Sequence, residues 1–219
     1  MITLSEEVKR DFPDLHVLTS LIENVTVKKY DSDLEAFKNK IVREIKDAYD
    51  IQTLKDRPVL RAYRDFFWRL EVDPTKTRPA AEALIRRLLR GRPLPTINTL
   101  VDAYNLSSIK TEIAIAAFDS DRIVGELLMR YARDGEEFLG IGMKSPIRLS
   151  GREVVISDKE KLVAVYPYRD AENTKVTELT KNVLLLFCGV PGIPLERLLE
   201  AKSVAEDFIT RFCSGTVKN

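Results

Sequence analysis

The segment from Thr96 to Asp119 constrains the fold most, because its hydrophobic pattern changes from helical to extended with no proline or glycine in between. Residues 113 to 131 predict extended structure, with a turn that begins at Asp119. The part before residue 113 predicts an amphipathic helix, since apolar side chains recur there at the i, i+3, i+4 and i+7 positions: Ile97, Leu100, Val101 and Tyr104.

A polar stripe accompanies this helix. Asn98, Asp102 and Asn105 recur at i, i+4 and i+7, which places them within about 60° of one another around the helix axis. Such a stripe can present hydrogen-bonding groups to a ligand, or it can be a solvated face. Asp102 could pair with the ammonium group of a ligand, or with an arginine or lysine inside the domain. Lys110, on the same segment, could meet a phosphate or a carboxylate.

The composition excludes several classes of protein. Of the 219 residues, 44% are hydrophobic and 32% are charged, which is typical of a soluble globular protein. No apolar run approaches the roughly 18 residues of a membrane span, and residues 1 to 12 lack the pattern of a signal segment. We therefore expect a cytoplasmic protein with no membrane partner.

The scarcity of histidine and cysteine limits the chemistry. His16 is the only histidine, and it lies far in sequence from both polar segments, so a Ser-His-Asp or Cys-His arrangement is not expected. Cys188 and Cys213 are the only cysteines and are expected to be reduced thiols. The sequence also lacks the glycine-rich motifs that bind phosphate, and we expect neither a metal nor a cofactor.

Positive charge is concentrated between Arg57 and Arg92. This region contains ten basic and four acidic residues, a net charge of +6, which leaves −5 for the rest of a chain whose total is +1. A basic segment on an acidic body is a candidate surface for RNA phosphates, although amphipathic helices with solvated arginines give the same pattern. The candidate RNA-binding residues of this region are Arg86, Arg87, Arg90 and Arg92.

The order of the predicted elements indicates an α+β fold. Residues 15 to 29 predict strands, helices follow them, short strands follow residue 113, and a final helix is predicted from about Pro194 to Phe212. We expect a mostly antiparallel sheet flanked by helices. An N-terminal strand and helix region, residues 1 to 74, is expected to pack on a core domain formed by residues 75 to 219.

A second polar segment, from Val163 to Asn182, carries an aromatic pair. Tyr166 and Tyr168 alternate with Val165 and Pro167, so a strand would place both rings on one face. Such a pair can stack a nucleic-acid base, or it can fill the core. The neighbouring side chains could bind a carboxylate or phosphate or complete a polar patch: Arg169, Asp170, Thr174 and Lys175. Asp170 could instead pair with Arg169 or cap the next turn.

The two segments together resemble the B3/4 domain, a module of the beta subunit of bacterial-type phenylalanyl-tRNA synthetases that also occurs as freestanding proteins. The resemblance rests on AIAAFD at Ala114–Asp119 and TKNVLL at Thr180–Leu185, about 60 residues apart. The aromatic–any–aromatic–Arg segment that ends at Arg169, followed by TKVT at 174–177, is closer to the freestanding proteins. The resemblance covers roughly residues 75 to 190.

The resemblance implies a fold that binds an amino acid ester and a terminal adenosine and hydrolyses wrongly charged tRNA. It also implies that Asn98 contacts the substrate. The editing histidine of the synthetase falls at Ala116 and its editing glutamate at Leu186, so the same groups are not expected to act in the same way. Three functions stay open: a trans-acting editing hydrolase, a non-catalytic tRNA- or RNA-binding module, and an amino-acid-binding protein.

Overall fold

The computed structural model describes residues 2–218 and combines a run of helices with a run of short strands. The α-helices in this range are α1 Glu6–Asp11, α2 Ser32–Ala48, α3 Pro58–Arg69, α4 Ala80–Leu89, α5 Thr99–Thr111 and α6 Leu195–Cys213. The strands are β1 Ile2–Leu4, β2 Val17–Glu23, β3 Ala114–Asp119, β4 Leu127–Tyr131, β5 Asp134–Phe138, β6 Ile147–Ser150, β7 Val154–Ser157, β8 Leu162–Val165, β9 Arg169–Asp170, β10 Val183–Cys188 and β11 Thr216–Lys218.

The strands form two larger sheets and one separate hairpin. One sheet has the order β1-β4-β7-β8-β9, in which β1 pairs with β4 in parallel and the other pairs are antiparallel. The second sheet is antiparallel throughout, with the order β11-β2-β10-β3. Strands β5 and β6 pair with each other. The expected α+β class, a mostly antiparallel sheet flanked by helices, is confirmed.

Strand β10 lies between β2 and β3 at the centre of the second sheet. Its continuous apolar sequence fits a strand that is covered on both faces, and most of its side chains are buried. In its register with β3, Leu186 lies opposite Ala116 and Cys188 lies opposite Ala114. This register places the side chains of Ala116 and Leu186 next to each other on one face of the sheet.

Helix α5 is buried on nearly all sides, so the expectation of an amphipathic helix from Thr96 is wrong in that respect. Helices α2, α4 and α6 and strand β3 pack against it, so that within the helix only Lys110 is exposed. Its polar side chains are satisfied by the backbone, since Ser107 donates to the Ala103 carbonyl at 3.1 Å and Thr111 to the Ser107 carbonyl at 2.8 Å.

The N-terminal elements are hydrogen-bonded into the same sheets as the later ones. Strand β1 pairs with β4, and β2 pairs with both β10 and β11. One large hydrophobic core includes buried residues from both sides of the expected boundary, such as Phe66 and Phe187. The boundary at residue 74 stays a prediction.

Candidate functional site

A narrow cavity of about 80 Å³ opens where β3, β10, the turn between β8 and β9, and the start of α4 meet. Its walls are mostly small and apolar. Leu186, Cys188 and the side chains of the turn line it together with four alanines. The alanines are Ala80, Ala114, Ala116 and Ala164. Because side chains alternate along a strand, residues 114 and 116 of β3 share one face, and so do residues 186 and 188 of β10.

Of the described residues that line the cavity, Asp170 alone carries a carboxyl group. The carboxyl accepts a hydrogen bond from the Ala117 backbone N–H of β3. Burial raises the pKa of Asp170 to about 7, while this hydrogen bond and the charge of the exposed Arg169 act in the opposite direction. A carboxyl whose pKa is raised in this direction changes its charge closer to neutral pH than an ordinary aspartate does, which is the range in which a group can both accept and return a proton.

The thiol on the cavity wall is not a nucleophile at neutral pH. Burial, and then the neighbouring Asp170 charge, raise the pKa of Cys188 well above its usual value, so the thiol keeps its proton. A histidine that could take that proton is absent from the described lining residues, and the side chain of His16 is exposed. Among the described lining residues, Asp170 is therefore the one whose side chain carries a carboxyl group with a pKa shifted towards neutral pH.

Two buried tyrosine hydroxyls hold the backbone of the cavity wall. The Tyr63 hydroxyl of α3 accepts the Ala114 N–H at 2.9 Å and donates to the Cys188 carbonyl, so it bridges the adjacent ends of β3 and β10. The Tyr166 hydroxyl donates to the Gly189 carbonyl. Burial raises the pKa of both phenols well above the usual value, so both stay neutral donors.

The expectation that Tyr166 and Tyr168 share one face of a strand is wrong. Strand β8 ends before them, and they lie in the turn that leads to β9. The ring of Tyr166 is buried edge-on against Phe66, with 6.1 Å between the ring centroids. The ring of Tyr168 is partly buried, and its centroid lies 5.7 Å from that of Phe67. Both therefore line the cavity as packed side chains, and a base-stacking role has no exposed ring pair to support it.

The polar stripe of the Asn98 segment does not converge on this cavity. Helix α5 begins at Thr99, and Asn98 is its buried N-cap, whose side-chain oxygen accepts the Val101 N–H at 2.9 Å. Asn105 is half-buried, and the exposed Lys110 lies 3.6 Å from the Glu44 carboxylate. Substrate contacts by these three side chains stay predictions.

Asp102 pairs with a cation of the chain itself. One of its carboxylate oxygens lies 2.8 Å from the Lys38 ammonium, and the other accepts the Ile97 N–H at 3.0 Å. Although burial alone lowers the pKa of Lys38, its hydrogen bonds to Asp102 and Glu35 raise it above the usual value. Lysine 38 therefore takes the place that a ligand ammonium was expected to occupy, which is the second of the two roles considered for Asp102.

The last two candidates of the second segment lie beyond β9. Thr174 is fully buried, and its hydroxyl has no hydrogen-bond partner among residues 2–218. Lys175 forms an ion pair with Glu172, three residues earlier. Neither side chain is among those that line the cavity, and their roles in binding stay predictions.

A basic groove of about 410 Å³ runs along the outer side of α4. Its lining contains six basic residues and, within the described part of the chain, no acidic one; the basic residues are Lys76, Arg78, Arg86, Arg87, Arg90 and Arg92. Arg86 is held by Glu82, with 2.7 Å between Nε and the carboxylate, and is largely buried. Arg87, Arg90 and Arg92 are exposed. The groove thus brings together the four arginines predicted to bind RNA.

The groove and the cavity meet at the start of α4. Arg78 lines the groove and Ala80 lines the cavity, so their Cα atoms are at most about 7 Å apart. Helix α4 begins at Ala80, with Pro79 at the N-cap and no side-chain cap. Its first backbone N–H groups therefore lack an acceptor within the helix.

No pattern in the sequence points to the cavity itself. Asp170 was named as a candidate, but its environment depends on alanines from three separate elements, and alanine is equally common in a packed core. Lys76 and Arg78 were counted in the basic region without being assigned to the groove. Among residues 2–218, no cluster of acidic, histidine or cysteine side chains could hold a metal ion, and no helix is long and apolar enough to span a membrane.

The profile of the B3/4 domain matches residues 62–216. The beta subunit of phenylalanine–tRNA ligase from Yersinia pestis is 35% identical over 102 residues, which are 46% of this chain and 13% of that protein. The corresponding subunit from Legionella pneumophila is 33% identical over 132 residues, which are 60% of this chain and 16% of that protein. The match therefore spans a small part of these much longer relatives.

A solved structure shares the fold. An N-terminal fragment of the phenylalanyl-tRNA synthetase beta subunit from Pyrococcus horikoshii superposes with a TM-score of 0.54 and 16% sequence identity. The superposition covers 99% of this chain and 50% of that fragment. At this identity the likeness concerns the fold alone.

We expect Asp170→Asn to stabilise the protein at alkaline pH and not at acidic pH. From about pH 4 to about pH 7 the unfolded chain releases a proton that the folded chain keeps on Asp170, so the free energy of unfolding falls as pH rises through that window. Asparagine removes this dependence. Urea unfolding of the unaltered protein and the variant at pH 5 and pH 8 measures this difference in the free energy of unfolding. If the variant is no more stable than the unaltered protein at pH 8, the expected cost of ionising Asp170 in the folded state is wrong.

Proposed function

The chain belongs to the B3/4 domain family, and on that premise we propose that it is a trans-acting hydrolase of aminoacyl-tRNA that carries a wrong amino acid. The observation that supports this proposal is the position of Asp170 in the cavity. Ala116 and Leu186 occupy the places where the related synthetases are expected to carry their editing residues, and both line the same cavity as Asp170. A carboxyl from a third strand thus offers an alternative acid–base group.

The geometry is compatible with the following hydrolysis. The ionised Asp170 takes a proton from a water molecule, and the hydroxide oxygen forms a bond to the ester carbonyl carbon. Free N–H groups in the first turn of α4, beside Ala80, stabilise the negative charge that develops on the carbonyl oxygen. When the ester C–O bond breaks, the protonated Asp170 returns the proton to the ribose oxygen, and the amino acid leaves as the free acid.

The size of the cavity favours a small amino acid side chain. A dry cavity of about 150 Å³ can hold a benzene ring, and the cavity here is about half that size. Ala116 and Leu186 lie side by side on neighbouring strands of its wall, and the buried Tyr166 also lines it. We therefore propose amino acids of the size of alanine or serine as substrates, and not phenylalanine or tyrosine.

The basic groove would hold the RNA backbone. Because it meets the cavity near Arg78 and Ala80, an RNA strand whose phosphates lie in the groove could direct its 3′ end into the cavity. The exposed arginines of the groove, Arg90 and Arg92, are the proposed phosphate contacts. This arrangement would use both features of the surface for one substrate.

We expect release of alanine or serine from mischarged tRNA, with a rate that rises with pH and levels off above about pH 7. The rise follows from the requirement for an ionised Asp170. Asp170→Asn should lower the rate by about a hundredfold or more and remove the pH dependence. The measurement is a deacylation assay with a panel of tRNAs that includes tyrosine on phenylalanine tRNA.

The control for this assay is Asp134→Asn, the same change at an exposed position on β5. It should leave both the rate and the pH profile unchanged. Full activity of Asp170→Asn, or release of tyrosine in preference to alanine and serine, would contradict the proposed site.

The basic groove favours a second candidate, a non-catalytic RNA-binding module. Both candidate functions require that the logarithm of the association constant for RNA falls linearly with the logarithm of the salt concentration. The reason is that phosphates neutralised by the protein release their counterions. Arg90→Ala should make that slope shallower by about one unit, whereas Arg148→Ala, at an exposed arginine on β6, should not. Filter binding at several salt concentrations measures the slopes. Binding without hydrolysis favours the module, and salt-insensitive binding contradicts both candidates.

A further inference from the structure

Trp68 is the only tryptophan of the sequence, and 56% of its side chain is exposed. Tryptophan is usually well buried, and the aromatic residues just before it, Phe66 and Phe67, follow that rule. Trp68 lies in the last turn of α3, a rigid helix whose other face packs in the core. The fold therefore holds a large flat apolar surface in solvent at a fixed position.

Contacts between α3 and α4 place this indole near the junction of the groove and the cavity. The Ile51 carbonyl, which precedes α3, accepts a hydrogen bond from Arg86 at 3.4 Å, and Arg64 in the middle of α3 lies 3.1 Å from Glu82. The two helices thus run antiparallel. Trp68 is one turn beyond Arg64 on the same side of α3, since residues i and i+4 share a face. It is therefore directed towards the segment one turn before Glu82, which contains Arg78.

The cavity lies on the adjacent side of the last turn of α3. Phe67, the neighbour of Trp68, packs its ring against Tyr168 on the cavity wall, with 5.7 Å between the centroids. The exposed indole thus lies on the part of α3 whose neighbouring side chains reach both features, since Arg64 contacts α4, which carries the basic groove, and Phe67 contacts the cavity wall. Positive charge beside an exposed aromatic ring is the combination with which proteins bind single-stranded nucleic acid.

We propose that Trp68 is a stacking platform for an unpaired base at the 3′ end of an RNA whose phosphates occupy the basic groove. This inference rests on the proposed RNA substrate. The indole would stack on one base and so fix the position at which the terminal ribose and its amino acid enter the cavity. Stacking does not depend on base identity, because every base has a π-face, so the platform would act on RNAs of different sequence.

Intrinsic fluorescence tests the proposal directly, because all tryptophan emission of the protein comes from Trp68. We expect an RNA hairpin with a four-nucleotide unpaired 3′ tail to quench this emission as it binds, with the same midpoint as the anisotropy of a labelled copy. A blunt-ended hairpin of the same stem should quench it much less. Anisotropy that reports saturable binding of the tailed hairpin with unchanged emission would overturn the stacking role, while the proposed RNA substrate would stand.

Substitutions of Trp68 distinguish stacking of an aromatic ring from simple apolar contact. Trp68→Phe should keep most of the affinity for the tailed hairpin, whereas Trp68→Leu, which keeps apolar volume without a ring, should weaken it about tenfold. Tyr30→Ala, at an aromatic residue that is 61% exposed and lies before α2, is the control and should have no effect. Equal affinities of the phenylalanine and leucine variants would overturn the proposal. Absence of any binding by the unaltered protein would overturn the proposed function and this inference with it.

Discussion

The candidate site depends on the register of β10 between β2 and β3. A shift of the register by one residue would turn every side chain of β10 to the opposite face of the sheet. Leu186 and Cys188 would then no longer face the cavity. The Tyr63 hydroxyl bonds to Cys188 on one strand and to Ala114 on the other, so α3 fixes this register at the cavity itself. The same helix carries Trp68 on its exposed side. The wall of the cavity and the proposed platform for RNA are thus positioned by one element.

Two aspartates differ in how the fold accommodates their carboxyl groups, since Asp102 is buried and Asp170 is partly buried. The carboxylate of Asp102 is paired with the Lys38 ammonium at 2.8 Å inside the core, and an ion pair of this kind holds α2 against α5. Asp170 receives a backbone N–H from Ala117 but has no cation of this kind within the cavity, and burial raises its pKa to about 7. A carboxyl in such surroundings lowers the free energy of unfolding at neutral pH, and this cost is consistent with the chemical role that we propose for Asp170.

The local sequence pattern was sufficient to predict the helices and strands, but the candidate site depends on contacts between residues that are distant in sequence. The apolar run at Val183–Cys188 and the alternation of helical and extended segments predicted the strands and helices, since those signals are local. The partner of Asp102 is 64 residues away, at Lys38, so the sequence could not choose between ligand and lysine. The tyrosines of the second segment alternate with other residues as they would in a strand, but Tyr166 lies in a turn. The cavity needs alanines from several elements, and nothing local distinguishes them.

The cavity is proposed to hold the amino acid of a charged RNA end next to Asp170. The most direct test is a titration of the Asp170 carboxyl by carbon-13 NMR, with and without an adenosine that carries alanine through a non-hydrolysable 3′-amide. We expect a pKa of about 7 in the free protein and a clear change in that pKa when the analogue binds. An analogue that binds without changing the titration of Asp170 would contradict the account, and so would a free-protein pKa near the ordinary value for aspartate.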